Sequence, residues 1–323
     1  NIVTELKKMP NVIIKNRAQV FGYYDHNMMV MSERISDHLP ETKKYSPKQR
    51  LWYIRAKEVV ISSGSIERPI VFGNNDTTGV VLASAAKEYL KLYGVLVGKK
   101  PIVFTNNDSA YETAIEFKKN GISPIVIDTR DNPNSELISE AKAMNIDIRF
   151  SHVVVSAKGY KKVNSAEITT ISKDKKDLGK IENINCDCIC VSGFWTPTIH
   201  LASQSGNKTE FNKDIDAFVP GKSKQSETTL GSAKGVFTLE ETLKTSFEAG
   251  YEISKKITNK SNKLAVPKVL EKKNTKHDKF WCVPLPKNKN YKRFVDFQND
   301  VAVSDIELAV REGFRSIEHV KRY

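Results

Sequence analysis

An α/β fold with parallel sheets and helical covers is the architecture this sequence predicts, and three observations predict it. Between residues 101 and 128 an apolar run, a helical run ending at Gly121 and a second apolar run follow one another. That is the spacing of a βαβ unit, the core of a nucleotide-binding fold. A strand over 57–61 runs into Ser62-Ser63-Gly64. Small residues there let the backbone turn sharply at the carboxyl end of a strand, where open α/β sheets bind ligands. Strand-like and helix-like segments then alternate along most of the chain, which argues against an all-α or all-β layout. With 323 residues there is room for about two domains, each able to bury its own core.

The elements follow in order. Residues 11–55 read as a β-meander with strands at 12–14, 18–24, 28–34 and 51–55, and Asp25-His26-Asn27 supplies turn chemistry between two of them. A helix is predicted over 78–92, because Val80, Ala83, Ala86, Leu90 and Tyr93 keep helical spacing and Gly94 stops it. Strand 101–105, helix 109–120 and strand 124–128 come next, then helix 135–144 and strands 147–150, 152–157, 166–171 and 186–191. Residues 192–206 are loop-like, with Gly193, Pro197 and Gly206 as breakers. A helix over 238–250 opens on a Thr238–Glu241 capping box and is expected to end at Gly250. A Lys- and Asn-rich stretch over 255–293 precedes a helical region at 303–321, capped by Ser304 or Asp305 and broken by Gly313.

Composition excludes several classes. Of the net charge of +13, most sits in 255–293, where 13 Lys or Arg face only Glu271 and Asp278. A run of that kind is a solvated linker rather than a nucleic-acid surface, and its aromatics do not interleave with Arg as a single-strand platform needs. No nucleic-acid partner is expected. No run of about 18 uncharged apolar residues exists, so no membrane span is expected. The chain opens on Asn1 without a basic segment leading into an apolar run, so no signal peptide is visible. Cys186, Cys188 and Cys190 would sit in a row on one strand face, as buried apolar residues of a reduced cytoplasmic protein. With Cys282 alone elsewhere, no second pair completes a zinc site, and no metal is expected.

Two places could carry chemistry. The βαβ turn that would hold a pyrophosphate with Gly-x-Gly-x-x-Gly reads Thr105-Asn106-Asn107-Asp108-Ser109-Ala110. Side chains fill the space that glycines leave for phosphate, and Asp108 adds a charge that phosphate resists. This predicts a nucleotide fold that has lost its nucleotide, and Asp128, placed like a ribose-binding acid, loses its meaning with it. The second place is Thr229-Leu230-Gly231-Ser232-Ala233-Lys234-Gly235, small residues leading toward a helix N-terminus. The six histidines are dispersed and no nucleophile–base constellation stands out, so no catalytic residue is assigned. Chemistry by a bound redox cofactor remains open.

Several longer strings resemble the alpha subunits of heterotetrameric sarcosine oxidases. They are Val20-Phe21-Gly22-Tyr23-Tyr24-Asp25-His26-Asn27, Ser62-Ser63-Gly64-x-x-Glu67-Arg68-Pro69 and Asn75-Asp76-x-x-Gly79-Val80-x-Leu82-Ala83-Ser84-Ala85. Val103-Phe104-Thr105-Asn106-Asn107-Asp108-Ser109-Ala110-Tyr111 and Ser203-Gln204-Ser205-Gly206 continue the likeness. The most specific are Phe294-Val295-Asp296-Phe297-Gln298-Asn299-Asp300-Val301 and Glu312-Gly313-Phe314-Arg315-Ser316-Ile317-Glu318-His319-Val320-Lys321-Arg322-Tyr323.

The resemblance implies two nested Rossmann-like dinucleotide folds of the glutathione/thioredoxin reductase type, plus a small C-terminal helical segment. The first fold would be incomplete: this chain is expected to lack an N-terminal Gly-rich nucleotide motif and a C-terminal folate-binding domain. The implied layout is a partial first dinucleotide domain with the meander (1–98), a degenerate Rossmann-like domain (99–192) and a return to the first domain (193–254). A Lys-rich linker (255–293) and the helical segment (294–323) follow. Ser63, Gly64, Gly231 and Ser232 are the implied cofactor-binding residues, with Ser232 standing where related flavoproteins carry an acid for the flavin ribityl chain. The resemblance implies NAD on this subunit, FAD and FMN mainly on a beta subunit, tetrahydrofolate in the absent domain, and beta, gamma and delta partners. The implied enzyme is a flavin-dependent oxidoreductase acting on the CH–NH group of sarcosine, yielding glycine, hydrogen peroxide and formaldehyde or methylenetetrahydrofolate. The 311–323 stretch would lie at the FMN contact. Related dehydrogenases place an iron–sulfur cluster in a Cys-rich segment near the final helices; only Cys282 lies there, so none is expected. The alternatives are the equivalent subunit of an opine, proline or other secondary-amine dehydrogenase, and a non-catalytic scaffold subunit.

Overall fold

The computed structural model describes residues 2–41, 44–258, 265–269 and 277–323. The chain divides into two compact units, Asn1–Ser65 with Thr196–Lys272, and Ile66–Trp195 with Lys273–Tyr323.

In the first unit, strands Ala18–Tyr24, Met28–Arg34 and Gln49–Arg55 form an antiparallel meander in sequence order. The turn Asp25–Asn27 closes its first hairpin with His26 and Asn27 at positive φ, a conformation that Asn tolerates well. The side chain of Asn27 is buried and fully used. Its Oδ1 accepts from the Tyr23 hydroxyl at 2.8 Å, and its Nδ2 reaches the carbonyls of Lys57 and Ser226. That anchors the meander to the parallel pair Val59–Ile61 and Glu227–Thr229. Tyr23, Val59, Ile61 and Ala202 make the core here, with Met29, Ala56 and Leu201 packed against it. Residues 12–14, expected as a strand, are irregular. The helix starting near Thr238 spans Leu239–Thr258 and runs through Gly250. A Cβ at Gly250 would meet nothing, so the glycine occupies an ordinary helical position and no left-handed stop is required.

The second unit holds a five-stranded parallel sheet in the order Val80–Leu82, Cys188–Ser192, Pro101–Thr105, Ile125–Asp128, Asp147–Phe150. Alternation along each strand sorts its side chains onto two faces. Val103, Val126, Cys188 and Cys190 pack with helices Ala83–Tyr93, Tyr111–Lys119 and Glu136–Ala143. Ile102, Phe104, Ile127, Ile189 and Val191 pack with Val153–Val155, Ala166 and Ile168 of a three-stranded antiparallel sheet. Residues 80–82, expected as helix, form an edge strand instead, paired in parallel with 189–191. Residues 66–98 lie in this unit. Cys188 and Cys190 share the helical face with Sγ atoms 3.6 Å apart, whereas Cys186 precedes the strand and joins the opposite cluster.

Part of the expected linker lies outside the described residues, and residues 277–283 pack against the second unit rather than standing free. Phe280 and Val283 are buried. Val71 ties this segment down through both backbone groups, its N donating to Trp281 O and its O accepting from Val283 N. Asn106 Nδ2 donates to Asp278 O and Phe280 O. The Arg68 guanidinium lies 3.4 Å above the Trp281 ring, and Phe194 stacks on His277 at 3.9 Å. Phe194 is held at φ +82, a conformation that costs a bulky residue about 1–3 kcal/mol. The apolar run Phe280-Trp281-Cys282-Val283 is the sequence signal that outweighs the surrounding lysines. Beyond it, Asn75 pairs both amide atoms with the Phe294 backbone. This fixes the hairpin Phe294–Asp296/Val301–Ala302 that leads to helices Val303–Arg311 and Ile317–Arg322. Asp305 accepts from Ala302 N at 2.8 Å, the reach-back of an N-terminal cap.

Candidate functional site

The carboxyl ends of the parallel sheet in the second unit are plugged by side chains. Thr105 Oγ1 accepts from Asn107 N at 3.0 Å. Asn107 Nδ2 reaches Ser192 O and Ser192 Oγ, while its Oδ1 takes Ser109 N and Ser109 Oγ. Asp108 is buried against Arg130 Nη1 at 2.7 Å. Arg130 in turn holds Asp128 through Nε at 3.0 Å and Nη2 at 2.7 Å, and the Tyr111 hydroxyl donates to Asp128 at 2.8 Å. Burial works against the Arg130 charge, but the hydrogen bonds and fields of Asp128 and Asp108 more than offset it and raise its pKa. Burial, with the Asp128 charge behind it, raises the Tyr111 pKa well above the ordinary range. The groups a nucleotide would need are thus committed to one another. A third carboxylate, Glu67, sits at the start of helix Ala83–Tyr93 and accepts from Ser84 N at 2.8 Å. Burial raises its pKa, opposed by hydrogen bonds from Ser192 and Ser84. Arg130 did not stand out in the sequence, and Glu67 did so only as part of the Ser62–Pro69 string, because each gains its meaning from partners elsewhere in the fold.

The first unit presents the opposite arrangement. Strands Val59–Ile61 and Glu227–Thr229 run parallel with Ile61 beside Thr229, so both chains leave the sheet at the same end. One enters Ser62-Ser63-Gly64 and the other Leu230-Gly231-Ser232, and Leu230 N donates to Ile61 O at 2.9 Å. Gly64 has φ +79 and Gly231 φ +62, conformations that glycine adopts without the Cβ clash. A Cβ built on Gly64 would have Ser232 Oγ as its nearest neighbour, at 4.0 Å. All four sequence-predicted residues therefore meet at one strand end. Ser63 Oγ donates to Thr198 O at 2.9 Å, and Thr198 N donates to Gly64 O at 3.0 Å. After Gly231 the chain makes a short 3-10 turn, Gly231–Lys234, closed by Val236 N to Gly231 O. The loop is therefore a tight turn of its own before the long helix begins at Leu239.

Among the described residues no group of His, Cys, Asp and Glu could hold a metal ion, and no helix is long and apolar enough to cross a membrane. All four cysteines are free. Burial pushes the Cys186 thiol up to about 12 and also raises Cys282, against the nearby Arg293. Such thiols are poor nucleophiles.

Residues 290–323 match the sarcosine oxidase A3 domain. Across 99% of its length the chain is 34% identical to the sarcosine oxidase subunit alpha of Rhizobium meliloti (strain 1021), of which it covers 31%. The chain thus spans about a third of the length of the curated relatives it matches. The resemblance read from the longer sequence strings extends over essentially the whole chain. Among solved structures, L-proline dehydrogenase from P. horikoshii is similar with a TM-score of 0.61 at 18% identity, covering 99% of this chain and 57% of that one. The HOCl-induced flavoprotein disulfide reductase RclA from Escherichia coli is similar with a TM-score of 0.51 at 13% identity, covering 79% and 53%. At these identities the likeness is one of fold. The fold is α/β and Rossmann-like, shared with these oxidoreductases.

Proposed function

We propose that this chain is the dinucleotide-binding part of an alpha-type subunit of a flavin-dependent sarcosine oxidase. The observation that carries the proposal is the meeting of Ser63-Gly64 and Gly231-Ser232 at the shared end of two parallel strands. Glycine backbone without Cβ atoms lets a diphosphate approach main-chain N–H groups. Ser63, Gly64, Gly231 and Ser232 would hold the dinucleotide, and NAD suits the site better than FAD because Ser232 offers a hydroxyl where a carboxylate would grip a ribityl chain. In the second unit Asp108, Arg130 and Asp128 satisfy one another, so a second dinucleotide is not proposed there.

The chain's own proposed contribution is to bind and orient the dinucleotide. FAD and FMN, held mainly by a beta subunit, would supply the acceptor for the two electrons leaving the C–N bond of the amine. The overall change is sarcosine, water and oxygen giving glycine, formaldehyde and hydrogen peroxide; with tetrahydrofolate the one-carbon unit leaves as methylenetetrahydrofolate. Beta, gamma and delta subunits are the proposed partners, and the four free thiols support a reducing, cytoplasmic setting.

Two measurements on the intact complex test this. Equilibrium dialysis should find one NAD per copy of this chain, and amine-dependent peroxide formation should favour sarcosine over proline and opines. Turnover of proline without peroxide would move the protein to the dehydrogenase alternative. A complex that binds no NAD and turns over normally without this chain would reduce it to a scaffold.

A further inference from the structure

We infer that Glu227 is a positioning residue for the Gly231-Ser232 turn, acting through its carboxylate rather than by touching a ligand. The inference rests on the dinucleotide reading of that site. Glu227 opens the strand that feeds the turn, and four side-chain donors from three separate stretches converge on it. Asn207 Nδ2 donates to Oε2 at 2.8 Å, and Thr229 Oγ1 donates to Oε1 at 2.7 Å. Ser205 Oγ lies 3.1 Å from Oε2 and Ser223 Oγ 3.4 Å from it. Each of those serine hydroxyls also faces a carbonyl, Ala202 O at 2.7 Å and Gln225 O at 2.9 Å, and divides its one proton between the two acceptors. A carboxylate is acceptor-only with about four lone-pair directions, so it is the side chain that can serve four donors at once.

The consequences reach the site along two routes. Thr229 is two residues before Gly231, so its hydroxyl couples the carboxylate to the start of the turn. Asn207 relays the other route: its Oδ1 accepts from Lys224 N at 2.8 Å while its Nδ2 holds Glu227. This staples the 223–225 loop to the turn after helix His200–Gln204. That helix is tied to the meander by Gln204 Oε1, which accepts from Tyr23 N at 3.2 Å. The string Ser203-Gln204-Ser205-Gly206, for which no chemistry was evident, thereby gains a role. Gln204 holds the meander, Ser205 faces the carboxylate, and Gly206 turns the chain at φ +88. Glu227 is the shared acceptor that makes these stretches one frame around the strand end.

The test uses the intact protein with NAD as probe, in three variants. Glu227→Ala strands the Asn207 and Thr229 donors and should weaken NAD binding by about tenfold or more. Glu227→Gln keeps one carbonyl for Asn207 and an amide that can donate to Thr229, so it should restore most of the affinity. Thr229→Val cuts the turn-side route alone. It should weaken NAD binding while hydrogen exchange at 203–207 stays at the wild-type rate, and exchange at 230–236 should rise in both Thr229→Val and Glu227→Ala. Wild-type NAD affinity and unchanged exchange at 230–236 in Glu227→Ala would overturn the inference. If wild type itself binds no NAD, the dinucleotide reading falls, and the exchange rates at 230–236 still decide the role of Glu227. Should Glu227→Ala fail to fold, Thr229→Val carries the same decision.

Discussion

The two strand-end turns of this molecule are solutions to the same geometry with opposite contents. At Thr105–Ala110 the space beyond a parallel strand is filled by Asn107, bonded to Ser192, and by Asp108 and Asp128, both paired with Arg130, all of them buried. At Ser62–Gly64 and Gly231–Ser232 the lining is largely backbone, glycines hold positive φ, and a Cβ on Gly64 would find room. The surroundings differ in the same sense. The filled turn sits among two extensive core clusters, whereas the open one is backed by a cluster of four buried residues. A Rossmann-like sheet end can therefore become a structural element once internal carboxylates take the anion's place and a cation from the next strand neutralises them. At the other turn glycine keeps the space clear, and that is where the dinucleotide is proposed to bind.

The largest effect expected from breaking this contrast is at Arg130. Arg130→Met leaves Asp108 and Asp128 buried without their cation and should cost about 3–5 kcal/mol in chemical denaturation at neutral pH. A cost below about 1 kcal/mol would mean that the triad is not what holds the filled turn.

Gly64→Val tests the open turn. A branched side chain at φ +79 should cost about 1–2 kcal/mol in stability and obstruct the proposed NAD seat. Calorimetric titration with NAD should show the affinity falling beyond what the lost stability explains. Full-strength NAD binding by Gly64→Val would place the ligand elsewhere.

Tyr23 sharpens the comparison on the side of the small core. Burial and the charges of Glu227 and Glu58 push its hydroxyl up to about 12 from an ordinary 10.0. The folded form favours the neutral phenol, so this stabilisation is complete below pH 10 and is lost as pH rises toward 12. Alkaline melts should show that loss in wild type and a flatter profile in Tyr23→Phe, which starts lower by about 1 kcal/mol because Asn27 loses its partner.

The smallest effect is at Glu67. Its pKa is raised by burial, so ionisation at neutral pH weakens the fold relative to acid. Glu67→Gln keeps an acceptor for Ser84 N and should gain slightly on wild type as pH rises from 4 to 7. An advantage that grew toward acid instead would show the carboxylate to be stabilising.

Much of the fold was legible from period and punctuation. Three of the four meander strands, the βαβ unit and its helices match within a few residues, because each is specified by side chains close in sequence, while the expected strand at 12–14 is irregular. Two elements were misread for one reason: residues 80–82 and Gly250 satisfy helical spacing or helix-stop rules locally, and packing decided otherwise. Residues 277–283 were hidden by the lysines around them, although Phe280, Trp281 and Val283 carried the apolar signal that packs this segment. At the sites, the missing glycines of Thr105–Ala110 were visible. The cation that makes the filled turn stable was not, since Arg130 and Asp108 are neighbours only through strand pairing.

By itself the sequence determined the α/β class, the order of most elements, which turn had lost its glycines, and the likeness to sarcosine oxidase alpha subunits. Those features are written in local spacing and in contiguous strings. Only the tertiary structure decided that Ser63-Gly64 and Gly231-Ser232 share one strand end, that Glu227 gathers four donors beside them, and that Asp108 and Asp128 share Arg130. Each of these joins residues far apart in the chain. Such contacts depend on which strands pair and in what register, and periodicity along a single strand carries no record of that choice.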